Sequence, residues 1–128
     1  MIPLSSEHDS VAHDIVDSAL AVHRALGPGL LESVYERCLA YELHVRGFKV
    51  EQQVNRPVVY REVRLEAGFR IDILVNDVVV IELKTVDRLL PIHEAQLLTY
   101  LKLSGKRLGL LLNFNVPLIK DGIRGLAL

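Results

Sequence analysis

Residues 69–84 read Phe69-Arg70-Ile71-Asp72-Ile73-Leu74-Val75-Asn76-Asp77-Val78-Val79-Val80-Ile81-Glu82-Leu83-Lys84, and the way this stretch pairs with itself decides the fold. Phe69, Ile71, Ile73 and Val75 alternate along a first strand; Val79, Ile81 and Leu83 alternate along a second. If all seven share one face, Val75 pairs with Val79 and the hairpin loop is Asn76-Asp77-Val78. A two-residue Asn-Asp turn would slip the register by one and put Glu82 opposite Ile71 on the buried face, so the longer loop is expected. In that register Asp72 lies opposite Glu82, and Lys84 leaves the same face two residues on. Cross-strand neighbours have Cβ atoms about 5 Å apart, and two like charges at that distance are destabilising. A divalent cation between them converts repulsion into coordination, because hard cations take carboxylate and carbonyl oxygens. A lysine beside such an ion completes what phosphodiester hydrolysis asks for: polarised phosphate, activated water and a positive charge against the developing negative one. Taken alone, an Asp…Glu-x-Lys pattern is more often a solvated face with a salt bridge, so the rest of the chain has to decide.

The chain has 128 residues, enough for one domain with a proper core. Half the residues are apolar and the mean hydropathy is +0.27, yet no run approaches a membrane span. The excess suggests apolar surface reserved for a partner, most simply a second copy of the chain in a homodimer. A net charge of −1 argues against broad electrostatic capture of nucleic acid, but not against a nuclease whose metal ions supply local positive charge. Cys38 is the single cysteine, which excludes an internal disulfide and a cysteine-based zinc cluster. It is expected to be a buried, inert thiol. No charged-then-apolar leader opens the chain, so a cytoplasmic protein is expected.

Ser6 to Leu26 reads as an amphipathic helix with Ser6 as its cap, a stripe of Val11, Ile15, Ala19, Val22 and Leu26, and Gly27-Pro28-Gly29 as its stop. His13-Asp14 within it is similar to the His-Asp pair of metal phosphohydrolases, but no second ligand set follows and the pair reads as solvated. A second helix is expected from about Leu30 to Arg46, with Leu31, Val34, Cys38, Tyr41 and Val45 inward. Glu32 in its first turn complements the helix dipole whatever else it does. Strands are expected over Phe48–Val54 and Val58–Leu65, separated by Asn55-Arg56-Pro57, with a further break at Ala67-Gly68 before the hairpin. Pro91 to Ser104 reads as a third helix closed by Gly105, bearing His93, Gln96 and Tyr100 on one side. Leu108–Asn113 and Ile123–Leu128 follow as a buried strand and an edge strand. This order predicts an α/β fold, one mixed β-sheet flanked by helices, with the third helix crossing over the face that carries Asp72.

Four segments of the chain resemble those of a known family. Gly29-Leu30-Leu31-Glu32-Ser33-Val34-Tyr35 resembles the signature of the bacterial GxxExxY protein family. The hairpin is similar to its Asp…Glu-x-Lys segment, Gln96-Leu97-Leu98-Thr99-Tyr100 to its QxxxY segment, and Gly109 to Gly122, with Asn113-Phe114-Asn115-Val116-Pro117, to its C-terminal hallmark. That family is placed in the PD-(D/E)xK nuclease-like superfamily, so the resemblance implies a single-domain restriction-endonuclease-like core over residues 1–128. Ile71 rather than proline precedes Asp72, the one departure. By the same resemblance, Glu32, Asp72 and Glu82 with the carbonyl of Leu83 are expected to hold Mg²⁺ or Mn²⁺. Lys84 is expected to orient water or offset phosphorane-like charge, and Gln96 and Tyr100 to position Lys84 or nucleic acid. The implied function is metal-dependent hydrolysis of phosphodiester bonds in DNA. The alternatives are a non-catalytic nuclease-fold binding module, homodimeric, or an enzyme acting on a small phosphate ester.

Overall fold

Val75 pairs with Val79 across Asn76-Asp77-Val78, and the central hairpin has the register that its apolar alternation requires. Asn76 and Asp77 both take left-handed backbone angles, φ 50° and 59°, which the short polar side chains of these residue types tolerate. The computed structural model describes residues 4–128, and the first three, where the expected domain and leaderless N-terminus begin, lie outside it. Helices α1 (Ser6–Leu26) and α2 (Glu32–Val45) come first, followed by strands β1 (Val50–Tyr60), β2 (Val63–Val75) and β3 (Val79–Lys84). Helix α3 (Pro91–Ser104), β4 (Leu108–Asn113), a 3-10 turn (Ile119–Gly122) and β5 (Ile123–Ala127) complete the chain. The strands form one mixed sheet in sequence order; only β3 and β4 run parallel, joined through α3. Among the described residues no helix is long and apolar enough to cross a membrane.

Each sheet face has its own core. Val79, Ile81 and Leu83 of β3 and Leu108, Leu110 and Leu112 of β4 pack with α1 and α2; Val80 and Leu111, one residue out of phase, pack with Leu97 and Leu101 of α3. The period of two along a strand thus sends Glu82 and Lys84 to the α3 face with Val80. Gly109 makes room for that layer, since a Cβ there would lie 2.8 Å from Leu97 Cδ1.

The shared face expected for all seven apolar hairpin residues is corrected at one point. Ile73 and Val75 join the α1/α2 core, but Ile71 and Phe69 pack on the α3 side. The alternation of β2 therefore breaks at Asp72. Strand β1 breaks opposite it: Val50 faces α1/α2 and Val54 faces α3, with Gln53 between them at φ 53°. Gln52↔Ile73 and Val54↔Ile71 keep one register on both sides, so the ribbon turns its faces over without slipping.

Among the described residues five strands form where six were expected. Asn55-Arg56-Pro57 does not end a strand, because β1 lies at the sheet edge, where a proline's missing N–H costs little. The Ala67-Gly68 break is a bulge: Glu66, Ala67 and Gly68 face the single residue Pro57. A Cβ on Gly68 would lie 2.3 Å from Val58 Cγ2, so the close crossing needs glycine. The turn falls instead at Arg61-Glu62, with Arg61 at φ 53°.

Two helix expectations are also corrected. The cap of α1 is Ser5, whose hydroxyl accepts from the His8 N–H, while His8 Nδ1 accepts from the Ser5 N–H. The inward stripe of α2 is Tyr35, Leu39, Ala40 and Leu43, so Leu31, Val34, Tyr41 and Val45 are exposed and Cys38 is half-buried. Two apolar stripes compete on this helix, and Tyr35 settles the contest by stacking on fully buried Phe114 at 4.6 Å between ring centroids. Of the His13-Asp14 pair, His13 is exposed and Asp14 half-buried.

Candidate active site

Asp72 and Glu82 interlock the two hairpin strands by side chain rather than by backbone. Beyond Ile73↔Ile81 the antiparallel ladder stops. In its place the Asp72 N–H donates to Glu82 Oε1 at 3.1 Å, and the Leu83 N–H donates to Asp72 Oδ2 at 2.9 Å. The break of alternation at Asp72 is what turns its carboxyl toward β3. Glu82 is only 4% exposed, and burial, followed by the negative charge of Asp72, pushes its carboxyl up to about 8. The Asp72 N–H that bonds to Glu82 Oε1 acts in the other direction. Without a cation, burial and mutual repulsion thus favour a proton on the Asp72–Glu82 pair.

Lys84 Nζ donates to Gln96 Oε1 at 3.2 Å, tying the end of β3 to α3. One turn along α3, Tyr100 packs on Phe69 with ring centroids 4.8 Å apart. Burial and then the negative charges of Glu82 and Asp72 raise the Tyr100 hydroxyl above its ordinary range. Glu32 comes from the opposite layer. It is exposed as a residue, yet shielding of its carboxyl and the negative charge of Asp72 raise it, with Lys84 acting in the other direction. The structure thus gathers Glu32, Asp72, Glu82, Lys84, Gln96 and Tyr100 at one end of the sheet. This is the end where parallel strands β3 and β4 terminate at Lys84 and Asn113, a common place for ligands in α/β sheets.

The approach of Glu32 is explained by its neighbours in the chain. Gly29 takes φ 95°, a conformation that side chains resist, so the segment after α1 can turn back. Tyr35 Oη donates to the Gly27 carbonyl and accepts from the Leu30 N–H at 3.1 Å, pinning that turn to the core. Gly29, Glu32 and Tyr35 are thus one device: a turn, a presented carboxylate and its clamp. Tyr35→Phe keeps the stacking on Phe114 but strands the Leu30 N–H, and should cost about 1–3 kcal/mol in urea unfolding.

Three further groups support the site. Buried Asn113 accepts from the Val86 N–H and donates to the Val86 carbonyl, at 3.1 and 2.9 Å, fixing the chain that leaves Lys84. Its backbone carbonyl is where a Cβ on Gly122 would fall, 2.1 Å away, so Gly122→Ala should displace Asn113 and lower stability by about 1–3 kcal/mol, read by thermal unfolding. Gln52 and Gln53 both donate to the Glu36 carboxylate, one turn beyond Glu32. Adjacent strand residues reach one partner only where alternation fails, so this pair is a consequence of the break at Gln53. Asn113 had a signal in the sequence, a lone polar residue ending an apolar strand; Glu36 had none.

Chain residues 9–126 match the family model of the PD-(D/E)XK nuclease superfamily, and the chain belongs to that superfamily. No curated protein and no solved structure matches it. The five-stranded mixed sheet flanked by three helices is the restriction-endonuclease-like architecture that membership implies.

Proposed function

We propose that this member of the PD-(D/E)XK nuclease superfamily is a Mg²⁺- or Mn²⁺-dependent phosphodiesterase that hydrolyses DNA. The observation that carries the reading is the Asp72–Glu82 pair: two carboxyl groups forced together, one so buried that it keeps its proton near neutrality. Such a pair exchanges a proton for a hard cation readily, since either relieves the same repulsion. Asp72 and Glu82 would hold the ion. The Leu83 carbonyl would assist, because strand geometry turns it to the same side as the N–H that meets Asp72. Glu32 would stand at the rim. Among the described residues no three acidic, imidazole or thiol side chains converge, so the other positions would fall to water and phosphate oxygens, as Mg²⁺ prefers. When bound, the ion supplies a lowered pKa for water and positive charge for the phosphate.

The chain's own residues do the rest. Lys84, held by Gln96, directs an ammonium to where charge develops on the phosphate oxygens. Tyr100, whose hydroxyl keeps its proton beside two carboxylates, offers a donor to a phosphate or to the base next to it. Glu32, on which the charges of Asp72 and Lys84 both act, would accept a proton or order water near them. Labelled single- and double-stranded DNA incubated with the purified protein tests this. Cleavage is expected with Mg²⁺ or Mn²⁺ and none after chelation. Calorimetric titration showing no divalent-ion binding, together with intact DNA, would leave the fold as a binding module and overturn the enzyme reading.

A further inference from the structure

The stripe that α2 leaves outside has a regular pattern. Leu31, Val34, Cys38, Tyr41 and Val45 recur at intervals of three, four, three and four, which is the a/d repeat of a helix that packs against another helix along its length. Among the described residues its two ends are uncovered, with Leu31 73% exposed, Tyr41 68% and Val45 61%, while Cys38 at its centre is half-buried against the core. Tyr41 stands as a ridge between two grooves, one of about 360 Å³ toward Ala25 and Leu26 of α1 and one of about 340 Å³ toward Val50 and Gln52 of β1. A ridge flanked by holes on the same surface is self-complementary, as a two-fold interface between identical chains requires.

The flanking charges choose the orientation. Arg37 precedes the stripe's central Cys38 and Glu42 follows Tyr41, five residues apart on opposite sides of the seam. In a parallel pair of helices these two positions meet across the interface, Arg37 of each copy against Glu42 of the other. An antiparallel pair would bring Arg37 toward its own counterpart or His44, and Glu42 toward Glu42. Among the described residues Arg37 makes no hydrogen bond or ion pair, whereas Glu42 is already fixed by Arg46, which also binds Asp17. One member is thus held and the other is open.

We propose that the protein is a homodimer in which α2 packs parallel and in register against α2 of a second copy, through Leu31, Val34, Cys38, Tyr41 and Val45. This arrangement stands independently of any catalytic role. Both Glu32 residues, in the first turn of α2, then lie at the same end of the dimer, so the two sheet ends that carry Asp72 and Glu82 open to one side.

Sedimentation velocity on the full chain tests the dimer, and the only cysteine tests its register. The wild type is expected to sediment as a dimer at micromolar concentration. Tyr41→Lys and Val45→Lys, each a change at an exposed position, are expected to weaken association at least about 100-fold while helical circular dichroism and the unfolding temperature stay unchanged. Arg37→Glu is expected to weaken the dimer and Arg37→Glu with Glu42→Arg to restore it. Cys38, an a position facing its own counterpart, is expected to crosslink the two chains under mild oxidation, and Cys38→Ser to abolish the crosslinked band. A wild-type monomer at 100 µM overturns the proposal, as does a dimer indifferent to both lysine variants (about 100 µM being the range in which weak transient pairs dissociate). A lysine-sensitive dimer that never crosslinks through Cys38 overturns the parallel register.

Discussion

In metal-free buffer at pH 9, Glu82→Gln is expected to be several kcal/mol more stable than the wild type, with the difference vanishing toward pH 4. The sign follows from the buried carboxyl. Its folded value of about 8 lies above the ordinary 4.5, so between those limits the folded protein holds a proton that the unfolded chain has released. Stability from this group is complete below about pH 4.5 and declines as pH rises through about 8. A displacement of that size corresponds to at most roughly 5 kcal/mol. Glutamine carries no charge, keeps a carbonyl oxygen for the Asp72 N–H, and so escapes the penalty. Mg²⁺ at pH 8 is expected to raise the unfolding temperature of the wild type and to leave that of Glu82→Gln nearly unchanged. Urea titrations of both proteins at a series of pH values measure the effect. A stability difference that does not vary between pH 4 and pH 9 would show that Glu82 titrates in the folded protein as it does in the unfolded chain.

The second large effect concerns rate. Lys84→Ala is expected to lower single-turnover DNA cleavage by about 10²–10³-fold, the usual loss when one preorganised charge facing the transition state is removed. Divalent-ion affinity should survive, because the ion's proposed ligands are Asp72, Glu82 and the Leu83 carbonyl; Asp72→Ala should lose both affinity and cleavage. Lys84→Arg should not rescue, since a planar guanidinium cannot replace a compact ammonium in the space shared with Gln96. Gln96→Ala, which frees Lys84 without removing it, is expected to cost about tenfold. Equal cleavage by Lys84→Ala and wild type would remove Lys84 from the chemistry and assign any remaining activity to a contaminant.

How far the sequence reveals this arrangement differs from one element to the next. The hairpin register was legible from the apolar alternation, which pairs Val75 with Val79, although the face that was expected to spare Glu82 turns out to be covered by α3 and buries it. The helix ends at Leu26 and Gly105 were legible from glycine. The reversal of faces at Gln53 and Asp72 was not, because apolar residues continue at every second position from Phe69 to Val75 and helices cover both sides of the sheet. Alternation tells inside from outside, and here both faces are inside. The orientation of α2 was hidden for a related reason. Leu31-Val34-Cys38-Tyr41-Val45 and Tyr35-Leu39-Leu43 are both plausible inward stripes, and the choice depends on Phe114, far along the chain. Pro57 suggested a strand end only because nothing local says that β1 runs along an edge. At the site, the six candidate residues were nameable from three of the four segments, but the hydrogen bonds that hold Asp72 and Glu82 were not. They run from backbone to side chain between strands, and residue type alone does not announce them.

Those two hydrogen bonds make the amide protons of Asp72 and Leu83 reporters of the carboxyl pair. In an ordinary ladder, their exchange with deuterated solvent would follow the opening of the sheet. Here each amide is guarded by a carboxylate oxygen, so whatever fastens the carboxylates also seals the amides, and whatever loosens them uncovers both. Exchange at these two positions should slow when a divalent ion is added, while the amides of Ile73 and Ile81, in the ladder just behind, keep their pace.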